Sequence, residues 1–462
     1  MKKYIFTIFA VAAVLSSCSK SLEPNGDINS GAEAITTIGA STEISTRAVV
    51  SSSDDTKVNW ETGDKLGVLG TNGSLEAKNL AYELTAGTGS TIGTFQNNSS
   101  DITTISAIMY PYQENATWDS TNSKLICEIP PVQTAVKGSF NKNAAVMYSI
   151  GNTTDANLNF AVNFLKVTIG TGDTNIHSIT ISSPSTELSG KIDITSSSVA
   201  AVSSQSLKSV TLTAGKNNVF VSGDYYIAIM PSDIVTPTIS IICYEDGHTA
   251  KEYSKVGSGN LVFASGKNVK PISVNFSTIA TATGREAVQL WADGPYWATF
   301  NVGVTDGKTT SYGDYYAWGG SQNKVDDHNT GEDKLSGCND TATKLWGTNW
   351  RMPTKDEFSA LISSDNCELK YNEEGHKCYE TNNKGLLCTG KNTYISNSIF
   401  LPAGTSGNDS DGNSYYWSSD PFSTGAYDLY IMKHFNDPAD PKWPQVSGAL
   451  RTKLYHVRAV LE

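Results

Sequence analysis

The sequence predicts a mainly β protein, with two tandem β-sandwiches followed by an α+β domain. Three observations carry this. Gly is abundant at 39 residues, charged residues are only 17% of the chain, and Ser, Thr and Asn occupy every segment. Short runs such as Ser178-Ile-Thr-Ile-Ser182 alternate polar and apolar, which is the period of a strand with one covered face. Beyond about residue 280 the composition changes. Trp291, Trp297, Trp318, Trp346, Trp350, Trp417 and Trp443, seven of the nine tryptophans, lie there with four of the seven cysteines. Residues 277–284, small and polar, read as the linker before that last domain. With 462 residues and ~150 per domain, about three domains are expected.

The first element is an export signal. Lys2 and Lys3 precede an uncharged apolar stretch from Tyr4 to Leu15, too short to span a bilayer at roughly 20 residues. Leu15-Ser16-Ser17-Cys18 ends it and resembles a bacterial lipobox. That resemblance implies cleavage before Cys18 and a lipid on its sulfur, with residues 1–17 as the signal peptide. Residues 18–46 read as a flexible tether, with isolated apolar residues from Ile35 to Ile44 able to pair as a leader strand.

Residues 47–165 and 166–279 carry strand patterns divided by turns. Glu61-Thr-Gly-Asp64 is a turn before the strand Lys65 to Leu69, and Ile105 to Tyr112 is a further strand. In Asn157 to Ile169, Leu158, Phe160, Val162 and Phe164 share one side; Val167 and Ile169 follow after a phase slip that predicts a bulge. Val219–Val221, Tyr225–Met230, Thr238–Tyr244 and Val269–Phe276 are further expected strands.

These residues resemble the fimbrillin family of bacterial lipoprotein pilins. The likeness runs through Thr46-Arg47-Ala48, Trp60-Glu-Thr-Gly-Asp-Lys-Leu-Gly-Val68 and Ala107-Ile-Met-Tyr-Pro-Tyr112. It continues through Asn157-Leu-Asn-Phe160, Leu165-Lys-Val167 and Gly223-Asp-Tyr-Tyr-Ile-Ala-Ile-Met-Pro231. The resemblance implies transthyretin-like sandwiches and assembly by donor-strand exchange, in which a protease cuts after an arginine and removes the first strand. Arg47, the first arginine of the chain, matches the processing position. The partners so implied are other fimbrial subunits.

Residues 280–462 form the third domain and are expected to fold alone. Thr354 with Glu357 makes a capping box for a helix to Ser363, whose face is Phe358, Leu361 and Ile362. Gly294-Pro-Tyr-Trp297, Tyr312-Gly-Asp-Tyr315, Trp350-Arg-Met-Pro-Thr-Lys-Asp-Glu-Phe358, Tyr416-Trp-Ser-Ser419 and Val457-Arg-Ala-Val460 resemble major paralogous (FISUMP-type) domains. That family relates loosely to C-type-lectin-like folds. Trp297, Trp350 and Phe400 are expected in the core, and Arg351, Asp356 and Arg458 in a buried ion-pair lattice. Tyr415, Tyr416 and Trp417, with Asp409 and Asp411, are the candidate sugar-stacking ledge.

Known catalytic patterns are missing: no P-loop, GxGxxG, HExxH or GxSxG occurs, and the six histidines are scattered. Asn408 to Asn413 resembles half a calcium loop without its distal Glu. Cys127 and Cys243 read as buried thiols, while Cys338, Cys367, Cys378 and Cys388 leave three pairings open. No cofactor, metal or catalytic residue is assigned, and no enzyme activity is expected. A net charge of -12 argues against nucleic acid as partner. The expected function is a surface adhesin or fimbrial tip or accessory subunit, lipid-anchored in the outer membrane and surface-exposed, with a glycan or protein ligand. The alternatives are a non-polymerising glycan-binding lipoprotein and an enzyme on a formylglycine-generating-like scaffold.

Overall fold

The computed structural model describes residues 33–42, 59–73, 77–263, 269–272, 274, 276, 284–331, 333–372, 385–403, 413–431 and 444–461. Strands make up 48% and helices 7%, so the class is mainly β, arranged in several sheets, two of them half-barrels.

The first third supplies β1 (Thr37–Ser41), β2 (Lys65–Thr71), β3 (Lys78–Ala86), β4 (Ile92–Gln96) and β5 (Thr104–Tyr110). It continues with β6 (Thr117–Asp119), β7 (Lys124–Ile129), β8 (Val132–Thr134), β9 (Met147–Ile150), β10 (Asp155–Asn157) and β11 (Asn159–Phe160). Eight of these form one sheet in the order β10-β1-β4-β3-β2-β5-β9-β11. Its two edges, β10 and β11, are separated in sequence by Leu158 alone, so the sheet must roll. Inside lie Ile38, Trp60, Leu66, Val68, Tyr82 and Phe95. Trp60 makes edge contacts with Phe95 and Tyr110 at 4.9 and 5.1 Å. The turn after it has a local cause. Gly63 takes φ +91°, the Glu61 N–H donates to Asp64 Oδ2 at 2.7 Å, and the Tyr110 hydroxyl donates to Asp64 Oδ1 at 3.1 Å. Within the expected leader strand Ile35–Ile44, Thr37–Ser41 forms β1, and residues 43–44 lie outside the described residues.

Next come β12 (Asn163–Ile169), β13 (Ile176–Ser182), β14 (Ser189–Ile194), β15 (Val199–Leu207), β16 (Ser209–Thr213), β17 (Gly223–Ile229), β18 (Thr238–Glu245), β19 (Thr249–Val256) and β20 (Val269–Ile272). Val219–Val221 is loop, because Phe220 instead turns inward and its N–H donates to Ile176 O. The expected bulge in β12 is absent: β12 pairs β17 without a register shift from Asn163 to Ile169. What looked like a phase slip is a strand covered on both faces. Phe164 packs into the first core, while Leu165, Val167 and Ile169 pack into a second with Ile227 and Ile229. The 165/166 position therefore lies inside a strand that walls both cores. Strands cross that position elsewhere too, with β14 pairing β7 and β16 pairing β8.

The last third adds β21 (Glu286–Gln289), β22 (Tyr296–Ala298), α1 (Thr341–Trp346), β23 (Trp350–Arg351), α2 (Lys355–Leu361), β24 (Cys367–Asn372), β25 (Gly385–Gly390) and β26 (Ser398–Pro402). It ends with β27 (Ser414–Phe422), β28 (Gly425–Ile431), β29 (Gln445–Leu450) and β30 (Val460–Leu461). The capping box is present as read: Glu357 N–H donates to Thr354 Oγ1 at 3.0 Å and Thr354 N–H to Glu357 Oε2 at 2.8 Å. One nine-stranded sheet, β23-β30-β22-β21-β19-β18-β13-β16-β8, runs from residues before 280 to residues after it. The core around Trp318, Trp350 and Trp417 includes Ile242 and Ala250 from β18 and β19. Trp350 Nε1 donates to Glu252 Oε2 at 3.3 Å, and Arg285 pairs with the same carboxylate.

Candidate functional site

Two places combine chemistry with access: the β1 position in the rolled sheet, and a cleft beside the nine-stranded sheet. β1 is held from both sides. It pairs antiparallel with β4 over Thr37–Ser41 and parallel with β10 over Gly39–Ser41. Ile38 and Ala40 point into the core, Gly39 N–H donates to Thr154 O at 2.8 Å, and Leu158 N–H donates to Ser41 O at 2.9 Å. Cys18 and Arg47, the lipidation and processing positions, lie outside the described residues.

The cleft, of about 870 Å3, starts from a feature the alternation in 176–182 concealed. One face of β13, Ile179 and Ile181, enters the second core as expected. The other face, Ser178 and Thr180, is buried rather than solvated. Asn349 covers it: Ser178 Oγ donates to Asn349 Oδ1 at 2.8 Å and Asn349 Nδ2 donates to Thr180 Oγ1 at 2.6 Å. The hydroxyls of Thr180, Thr211 and Thr348 continue the chain at 2.6 Å per link. At one wall, His177 stacks on Tyr244 at 4.3 Å, and Tyr244 on Tyr296 at 5.0 Å. At the other, Arg351 makes a two-pronged pair with Glu357, 2.8 and 2.6 Å. Burial pushes the Glu357 carboxyl up, but Arg351 and the Thr354 N–H outweigh it and leave it below its ordinary value.

The expected ion-pair lattice is corrected by these contacts. Asp356 is exposed, Arg351 is bound to Glu357, and Arg458, fully buried, has neutral acceptors. Its guanidinium donates to Asn301 Oδ1, Ala298 O and Phe400 O, each at 2.8 Å. His456, buried among the rings of Tyr312, Tyr315 and Tyr416, is held neutral: burial, with the nearby Arg458 charge, pushes it down to about 3.

The stacking ledge is also corrected. Tyr416 and Trp417 are fully buried, and Tyr415 is packed between Tyr430 and Tyr455 at 4.9 and 4.5 Å. Trp297, Trp350 and Phe400 are core residues as read. Asp409 and Asp411, the half calcium loop apart from Asn413, and Cys378 lie outside the described residues. Cys127, Cys367 and Cys388 are buried and Cys243 is half-buried. Burial pushes the thiols of Cys127 and Cys367 up to about 12 and that of Cys243 up to about 11, away from the thiolate a nucleophile needs.

Asp428, opposite Trp417 on β28, is a buried carboxyl with Ser447 Oγ donating to Oδ1 at 2.8 Å and no partner on Oδ2. Burial pushes it from 3.8 up to about 6. The folded state therefore holds the proton more tightly than the unfolded chain. Stability falls as pH rises from about 4 to about 6 and stays lower above that, by roughly 3 kcal/mol. Asp428→Asn is expected to remove most of that fall. Denaturant midpoints should match wild type at pH 4 and exceed it at pH 7.5; equal midpoints at both values would refute the assignment.

Among the described residues no helix is long and apolar enough to cross a membrane. No family model matches the chain, and no curated protein matches it. The chain is similar to a solved structure, the tip fimbrial protein Mfa3 from Porphyromonas gingivalis with C-terminal truncation. The identity is 11% and the TM-score 0.20, over 57% of this chain and 90% of that chain.

Proposed function

We propose that this chain is a surface adhesin or accessory fimbrial subunit, held to the outer membrane by a lipid on Cys18 and joined to other fimbrial subunits by strand exchange. The observation that supports this most is the position of β1. It is a stave of the rolled sheet, paired on both sides, and it precedes Arg47 by six residues (41 to 47). A cut there frees the strand without breaking any other described element. The emptied place offers unpaired backbone on β4 and β10 and an apolar slot where Ile38 and Ala40 sat, which is what a donor strand needs. The other arginines are poor targets. Arg285 and Arg351 are ion-paired, and Arg451 and Arg458 are buried.

Limited digestion with an arginine-specific protease, followed by sizing, tests this. Wild type is expected to lose its leader and form larger species, and Arg47→Ala to stay monomeric. If cut wild type also stays monomeric, the assembly reading fails and a stand-alone adhesin replaces it. Cys18→Ala is expected to move the protein from membranes to soluble fractions; unchanged retention would exclude the lipid. The second reading, a glycan-binding lipoprotein that does not polymerise, is supported by the cleft alone.

A further inference from the structure

We propose that β29 is a docking edge for a second copy of this chain, joining two copies edge to edge through the sheet β27-β28-β29. This contact is separate from strand exchange at the β1 place and requires no cut.

The first ground is that β29 lacks the devices that close the other sheet edges. An open edge presents a row of unpaired backbone groups, and proteins blunt it with charge, proline, a bulge, shortness or a cover. Among the described residues each other edge has one of these. β6, β8, β10, β11 and β23 are two or three residues long. β20 contains Pro271, and β24 presents Glu368 and Lys370. β15 bulges, with residues 202–205 set against Lys191 alone. β17, β26 and β27 are mostly buried. β29 is six residues long, pairs with β28 without a register shift, and contains neither charge nor proline. None of its residues is buried; Leu450 at its end and Phe422 beside it are 61% and 48% exposed.

The second ground is the fit of this edge to itself. In an antiparallel pair centred on Gly448, that glycine lies opposite its own copy, and Val446 of each copy lies opposite Leu450 of the other. Alternation places these three residues on one face of the sheet. Phe422 lies on that face too: a Cβ added at Gly448 would come within 2.6 Å of its ring. The ring also packs at 4.9 Å on Tyr427, the residue opposite Gly448 on β28. Each copy therefore brings a phenyl ring to the centre of the seam, flanked by Val446 and Leu450. Charge favours a second copy as the occupant. Like charges directly opposite each other weaken a sheet, and each copy carries -12. Residues 444–450 carry no charge, so self-pairing meets no repulsion there. A partner chosen by its charge would need a charged edge to read. Pairing uses the edge of both copies, so the assembly closes at two.

The six residues of β29 fall well short of the roughly 20–30 a side of a standard interface, so the pair is weak in free solution. Copies held on one membrane by the lipid proposed for Cys18 meet at a higher effective concentration.

Sedimentation velocity of the uncut, unlipidated chain tests the proposal. The chain is expected to run as monomer at about 1 μM and as a growing share of dimer toward about 200 μM. Leu450→Lys is expected to weaken the dimer about tenfold or more at an unchanged melting temperature, because its ammonium would face Val446 of the other copy. If that variant melts early, Leu450→Ser must show a loss in the same direction. Val256→Lys, at a residue 60% exposed on β19, should leave the dimer as it is. Monomer at every concentration overturns the proposal, as do species that grow beyond two copies. Indifference to Leu450→Lys overturns it, and an equal loss in Val256→Lys would mean that the copies merely stick. Displacement of the dimer by the peptide of residues 33–46 would give the edge to a donor strand instead, and also overturns it. Arginine-specific digestion of the Leu450→Lys chain keeps the two associations apart, since any larger species then arises at the β1 place.

Discussion

A chain begun at Ala48 is expected to melt on the order of 10 °C below one begun at Cys18, and to be restored by a synthetic peptide of residues 33–46. The loss has two parts. Ile38 contributes about 1.5–3 kcal/mol of burial, with a smaller share from Ala40. The backbone groups of β4 and β10 that β1 satisfies cost about 1–3 kcal/mol each wherever they stay buried and unpaired. A total of ~5 kcal/mol or more follows, larger than most single substitutions produce. The peptide should bind in the native register, and the same peptide with Ile38→Asp should fail, because the slot would have to take a charge. Differential scanning calorimetry with and without peptide reads both arms. A truncated chain as stable as the longer one would mean that β1 is a passive decoration of the sheet.

Arg458→Leu is expected to cost about 3–5 kcal/mol, seen as an earlier transition in tryptophan fluorescence. Leucine fills some of the space but leaves Asn301 Oδ1, Ala298 O and Phe400 O without a donor in a fully buried place. Arg458→Lys should recover only part of the loss, since an ammonium cannot reproduce the planar fork that serves three acceptors in different directions. A leucine variant within about 1 kcal/mol of wild type would show that the three acceptors find other donors.

What could be read from sequence was what neighbours in sequence decide. The Thr354–Glu357 cap and the Glu61–Asp64 turn are closed by residues three positions apart, and both were legible. Alternation located β13, where one covered face is enough to set the period, and short apolar runs bounded by turns located β17 and β18. It could not say what covers the other face. For Ser178 and Thr180 the cover is Asn349, 171 and 169 residues away. For β12 it is a second core, and two-sided burial erased the alternation that the bulge was invoked to explain. The ion-pair lattice failed for a related reason. Spacing brought Arg351 near both Asp356 and Glu357, and the capping geometry of α2 turned Glu357 toward the guanidinium. The cleft had no sequence signal, since its walls come from segments near residues 132, 177, 213, 334 and 351.

The double clamp on β1 has a mechanical consequence. A strand paired on both sides and pulled along its own axis is loaded in shear, so its cross-strand bonds share the load and must fail together. The hairpin of β27 and β28, pulled open from its free ends, would instead unzip one bond at a time. An attachment made through the β1 place, by the chain's own leader or by a donor, therefore resists drag from flowing liquid better than its few residues would suggest. In single-molecule pulling, extraction of residues 33–42 by their N-terminal end should need a higher force than peeling the edge strand β27 from β28. A lower force would show that the clamp yields bond by bond.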